Sequence, residues 1–226
     1  NTGFDPSWRY FLNVVNGTDL KFGRDIYFTY GTLGYLFYLM KLPGNTIEYW
    51  SGIVIWGIIF LFHLWMLLQL YRLYQKGKIH FWAITASVCC YLAGYYAPTR
   101  DNYLLYLMIL AVVLWAKGAK NIVLIPNLLL LLMFFGKFST FTSGFAFCIL
   151  FCIFDVLFRK NWKSIWLFLP GIILMPVCYL VYCPSIKNLF EYVAGILKIS
   201  SGWMLTMQFD SVLQPSEVRW LIILIA

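Results

Sequence analysis

Six apolar runs constrain this chain more than any other feature. They fall at about Tyr49 to Tyr74, Ile79 to Tyr96, Tyr103 to Ala116, Asn121 to Phe135, Thr140 to Phe158 and Ile165 to Tyr182, and another begins near Val218. A helix rising ~1.5 Å per residue needs roughly 20 apolar residues to cross ~30 Å of hydrocarbon, and several runs meet that need. Charged residues make up 12% of the chain and hydrophobic ones 62%. That charged fraction is about half the ~25% usual in soluble domains. The expected fold is all-α, a polytopic transmembrane helix bundle. The third and fourth runs are short and depend on snorkelling ends. Pro126, Pro170 and Pro176 lie in or near spans, where neighbouring helices can satisfy the freed carbonyls.

Charge placement orients the bundle. Arg72, Lys76 and Lys78 fall in one connection, Lys117 and Lys120 in the next but one, and Arg159, Lys160 and Lys163 in the next but one again. The positive-inside tendency puts these in the cytoplasm. The formal charge of +8 then describes a rim touching anionic membrane lipid, and no nucleic-acid partner is indicated. The six cysteines lie in or at the ends of apolar runs, where thiols pack as small hydrophobes, so no disulfide is expected. Cys148 and Cys152 stand one helical turn apart without a histidine or carboxylate beside them, which favours packing over metal binding.

The domain plan follows. Residues 1–48 form a first outer loop with an interfacial helix and an aromatic re-entrant or surface segment. Residues 49–182 supply six transmembrane helices, 183–217 an outer loop with an amphipathic helix, and 218–226 the start of a further span. The chain opens without methionine or a signal-like segment and stops inside VRWLIILIA, so a preceding and several following spans are expected.

Asp5 before Pro6 is a good helix start. Trp8, Phe11, Leu12 and Val15 recur at helical spacing before Gly17, which predicts a helix lying flat on the membrane. Asn16-Gly17-Thr18 fits a glycosylation sequon. In residues 189–203, Phe190, Val193, Ile196 and Leu197 make a stripe expected to dip into the interface, with Gly202 as the stop. The stretch FGRDIYFTYGTLGYLFY, residues 22–38, is too short and too often interrupted to cross. It is expected to lie against the bundle with Tyr27, Tyr30 and Tyr35 at headgroup level, and its glycines allow close backbone approach.

DPSW, the later Asn13, FGRDIYFTYGTLGYL and the stretch from Leu189 through ISSGWMLTM together resemble a group of multi-spanning bacterial membrane proteins. Those proteins look like members of the C-type glycosyltransferase (GT-C) superfamily. Their usual form is nearer FTYGPLG, so Thr32 stands here in place of a proline. The resemblance covers residues 4–38 and 189–207 closely and elsewhere rests on topology. It implies a fragment of a larger GT-C-like fold in a bacterial cytoplasmic membrane. The implied enzyme takes a sugar from a polyprenyl-phosphate donor and passes it to a glycan, lipid or protein acceptor, using an acidic residue of the first outer loop.

Under that reading Asp5 is the candidate base for the acceptor hydroxyl. Arg24, Arg100 and Lys137 are candidates to hold the donor phosphate, whose charge grows as the sugar leaves. Asp25, Asp101 and Tyr30 are candidates for substrate binding or a second acid. No cofactor is required. Magnesium or manganese would suit Asp5, Asp25 or Asp101, although nothing in their spacing demands a metal. Each residue has a plainer role open to it: Asp5 as a helix cap, Arg24 and Asp25 as surface charges, Arg100 and Asp101 in a solvated turn, and Lys137 snorkelling to headgroups. Within the spans, His63 is expected to bond a neighbouring helix and Asp155 to pair with Arg159, while Gln69 and Asn127 also stand out. The alternatives are a transporter or flippase for a lipid-linked glycan and a noncatalytic assembly subunit.

Overall fold

The computed structural model describes residues 7–22, 24–26, 28, 30–96, 100–183 and 185–207. Each apolar run becomes a helix: α2 Thr46–Gln75, α3 Phe81–Tyr96, α4 Arg100–Ala116, α5 Leu124–Gly136, α6 Phe138–Arg159 and α7 Leu169–Tyr182. The short α1, Ser7–Val14, precedes them and α8, Ile186–Met207, follows. No strand forms among the described residues, which hold two isolated bridges, Phe22 with Ile26 and Tyr30 with Lys137. The fold is all-α.

Thr46–Gln75, Phe138–Arg159 and Trp162–Tyr182 are long and apolar enough to cross a membrane. Phe81–Leu92, Asn102–Ala116 and Leu124–Gly136 are shorter apolar helices. Six spans were expected, with the third and fourth short; three helices have full length, and the second, third and fourth are the shorter ones. Many outward residues are apolar, among them Leu61, Leu150 and Val181, which suits a surface facing hydrocarbon better than water.

Helix α5 is the hub, packing against α4, α6 and α7. Asn127 fixes it at one end: Nδ2 donates to the carbonyls of Val123 and Trp166, and Oδ1 accepts from Gly171 N at 2.6 Å. His63 does the same work for α2, α3 and α4. Its Nδ1 lies 2.6 Å from the Tyr103 hydroxyl and its Nε2 3.2 Å from Ser87 Oγ. Ser87 Oγ also accepts from the Tyr106 hydroxyl. A buried polar group satisfied this way ties helices together where lipid gives no hydrophobic drive to do so.

The basic connections share one end. A methyl placed on Gly118 would lie 3.9 Å from Lys78 Nζ, which joins the first connection to the second. Asn127 with Trp166, and Cys152 Sγ donating to Ser164 O, bring the third alongside. There α6 ends on Lys160 in the left-handed region, with φ 52°. Lys160 N donates to Val156 O, Asn161 N to Asp155 O, and Asn161 Nδ2 to the buried Asp155 carboxylate at 2.8 Å. Arg159 lies 3.5 Å from the same carboxylate, the pairing expected. All six cysteines are free, and Cys148 packs on Met108 Sδ.

At the other end, residues 30–38 lie across the bundle. Gly31 N donates to Gly136 O and Leu33 N to Phe135 O. Gly31 is needed for this approach, because a Cβ there would fall 2.6 Å from the Phe135 carbonyl oxygen. Tyr30 and Tyr35 are buried in protein, which corrects their expected place among headgroups. Tyr27 lies outside the described residues. The 3-10 turn Gly34–Tyr38 receives α1, and Leu12 of that helix with Val15 just after it are buried on the protein side instead of facing lipid. Asn13 locks this corner: Nδ2 donates to the carbonyls of Arg9 and Tyr38, and Oδ1 accepts from Met40 N. Asn16 Nδ2, the atom a glycan would occupy, donates to Thr32 O.

Helix α8 runs through Gly202 to Met207, past its expected stop. Its apolar stripe is also divided. Ile196 and Tyr192 are buried against the bundle, whereas Phe190 and Leu197 are 69% and 54% exposed.

Candidate functional site

The expected site residues meet different fates. Asp5 lies outside the described residues. Arg100 and Asp101 open α4, and their side chains fall outside the described part of the structure. The remaining four form two separate groupings at the end opposite the basic connections.

The first grouping is the turn at residues 21–26. Arg24, Asp25 and Ile26 amides all donate to Lys21 O, and Lys21 N donates to Asp25 Oδ2 at 2.9 Å. Arg24 folds onto its neighbour, with Nε and Nη2 donating to the Asp25 carboxylate at 2.6–3.0 Å. The hydrogen bond from Arg24 and the Lys21 amide hold the Asp25 carboxyl below its ordinary value, and the same pairing raises the Arg24 guanidinium. Asp25 is thus an ionised acceptor whose oxygens are engaged. The turn hangs on Phe22, which is clasped by α7: Tyr179 donates to Phe22 O at 2.7 Å and Phe22 N donates to the Tyr182 hydroxyl.

The second grouping joins Tyr30 and Lys137. One residue separates α5 from α6, and that residue is Lys137, extended at φ −138° and ψ 108°. The break aims its side chain along the bridge to Tyr30, and Nζ sits 5.4 Å from the centre of that ring. The Tyr30 hydroxyl lies 3.3 Å from that of Tyr38, and the Arg9 guanidinium covers the Tyr38 ring at 4.9 Å. Two cations therefore flank a pair of touching tyrosines. A cation over an aromatic face keeps its positive charge, which a phosphate can meet.

Arg9 and Tyr38 were missed in the sequence reading. A signal existed for Arg9, which stands one helical turn before the buried Asn13 and so shares its face of α1. Tyr38 carried none, since its position depends on how residues 34–38 coil.

A further polar atom lies beneath this region. Among the described residues the Tyr192 hydroxyl of α8, close to Gly31, is buried and has no hydrogen-bond partner, and burial pushes its phenol upward. Its ring packs against Tyr179 and Phe134. Among the described residues no group of three or more His, Cys, Asp or Glu gathers in metal-binding geometry.

The fold and this site define an all-α protein with membrane-length apolar helices and a cationic, tyrosine-rich corner at one end. No protein family, curated protein or solved structure matches the chain.

Proposed function

We propose that the protein is a multi-pass membrane glycosyltransferase. It would move a sugar from a polyprenyl-phosphate donor to an acceptor at the outer face of a bacterial cytoplasmic membrane, as the GT-C resemblance suggests. The observation that carries this reading is the joining of Lys137 and Tyr30 at the end of the bundle opposite the basic connections. An ammonium held there, with Arg9 on the adjoining ring, suits the phosphate of a lipid lying in the outer leaflet. Asp5 serves as the base for the acceptor hydroxyl. Arg24 has a lesser part, because Asp25 already occupies its fork.

A flippase for the same lipid would need polar groups along a central path. The interior polar groups of His63, Ser87 and Asn127 are instead spent on one another, on the hydroxyls of Tyr103 and Tyr106, or on backbone.

The test is transfer of a radiolabelled sugar from polyprenyl phosphate by the full chain in proteoliposomes. Asp5→Asn should lower kcat by at least about 100-fold, the usual range for a lost general base. Lys137→Met should raise the donor KM about tenfold or more, as expected for a charged hydrogen bond of ~1.5–3 kcal/mol. Parent-level turnover by Asp5→Asn would remove the proposed base. Absence of transfer to any acceptor class would remove the enzyme.

A further inference from the structure

A shallow groove of about 280 Å³ runs between the last turns of α6 and the 3-10 stretch Trp162–Leu167 that folds back along them. Cys152, Ile153, Val156 and Leu157 line it from α6, and Trp162 and Ile165 from the other side. The Cys152 thiol is already engaged by Ser164 O, so the lining offers only apolar contact. Ile153, Leu157 and Trp162 are exposed, and the groove therefore opens outward, toward lipid.

The groove ends at the turn that carries Arg159, Lys160 and Lys163, all exposed. Lys160 N bonds the carbonyl of Val156, a lining residue, at 3.1 Å, and Lys163 directly follows Trp162, another lining residue. Arg159 lies 3.5 Å from the buried Asp155 carboxylate and over the Phe154 ring at 5.9 Å. Lys160 and Lys163 make no ion pair among the described residues. Three cations against one carboxylate leave the turn positive. Its backbone is fixed, with Asn161 Nδ2 donating to Asp155 and Ser164 Oγ to Asn161 O, each at 2.8 Å.

We propose that this turn and groove bind one anionic phospholipid, with its phosphate held by Lys160 and Lys163 and the upper part of one acyl chain seated in the groove. Basic residues beside apolar spans attract anionic headgroups, which selects the charge of the ligand. The groove selects a lipid over a free phosphate, because an apolar channel that ends at cations matches a head joined to a chain. Trp162 belongs to both parts, and its amphipathic ring is of the kind that settles at headgroup level. A backbone already fixed lowers the ordering cost of binding. The site lies at the end of the bundle opposite Tyr30 and Lys137 and is independent of the glycosyltransferase reading.

The test is native mass spectrometry of the full chain released from micelles with equal dioleoyl phosphatidylglycerol and dioleoyl phosphatidylcholine. One phosphatidylglycerol should stay bound. Its affinity should fall about fivefold for each of Lys160→Gln and Lys163→Gln, the effect of one lysine near a membrane surface. Lys76→Gln combined with Lys78→Gln removes the same charge from another connection at this end and should leave the affinity unchanged. Val156→Trp fills the groove and should weaken binding with every cation in place. A diazirine on the acyl chain should mark residues between Cys152 and Ile165, a readout that needs no variant.

Equal retention of the two lipids overturns the proposal. So does an equal loss from the Lys76 and Lys78 pair, which would leave only diffuse attraction to a basic rim. Glycerol 3-phosphate competing as well as the intact lipid would show that phosphate alone is recognised, and crosslinks confined to other segments or to a second copy of the chain would place the lipid elsewhere; either result refutes the site.

Discussion

Asn13 shows how a residue singled out in a motif can act through packing. Its amide spends both ends on backbone, on the carbonyls of Arg9 and Tyr38 and the amide of Met40. Asn13→Leu keeps the volume but leaves buried backbone groups unpaired, at roughly 1–3 kcal/mol each. The expected loss is about 2–3 kcal/mol, seen as a lower midpoint of thermal unfolding in detergent; an unchanged midpoint would mean that water replaces the amide. Gly31 and His63 belong to the same class. Their types were informative in the sequence, since a glycine signals close approach and a histidine in an apolar run signals a partner. The partners themselves, Phe135 O for Gly31 and Tyr103 for His63, lie 104 and 40 residues away along the chain and could be found only in three dimensions.

Among elements, the long helices were legible because length and apolarity alone dictate them. Boundaries were less so. Helix α2 starts at Thr46, three residues before the apolar run, and α8 passes through Gly202, a glycine that does not stop it. The stripe on α8 was misread because its apolar residues serve two surfaces, and hydrophobicity does not record which of them each faces. The end of α6 offers a direct test. Lys160 sits at φ 52°, where a side chain costs energy that glycine avoids. Lys160→Gly should stabilise the protein by about 0.5–1 kcal/mol, raising the unfolding midpoint in detergent; a fall would show that the lysine side chain supplies more than the backbone strain removes.

At the level of the whole molecule, charge and hydropathy were enough to sort the connections between two ends. The structure agrees, placing Lys78 beside Gly118 at one end and Tyr30 beside Lys137 at the other. The candidate site was only partly readable. Lys137 and Tyr30 meet because a one-residue break in an apolar run happens to face a loop from the other side of the sequence, whereas Arg24 is claimed by its own neighbour. In sealed, inside-out and right-side-out vesicles, cysteines introduced by Lys76→Cys and Lys117→Cys should react with a membrane-impermeant maleimide from one side, and that from Lys41→Cys from the opposite side. Labelling of all three from the same side would refute the arrangement.

Helix α5 carries a consequence for how the chain is made. Its thirteen residues reach only about 20 Å, short of the ~30 Å of hydrocarbon, and its anchoring amide binds a backbone group of α7. It therefore cannot settle as an independent stave when it leaves the ribosome. Its anchoring hydrogen bond waits for Gly171, 44 residues further along the chain, so this stave is secured only by a segment made after it.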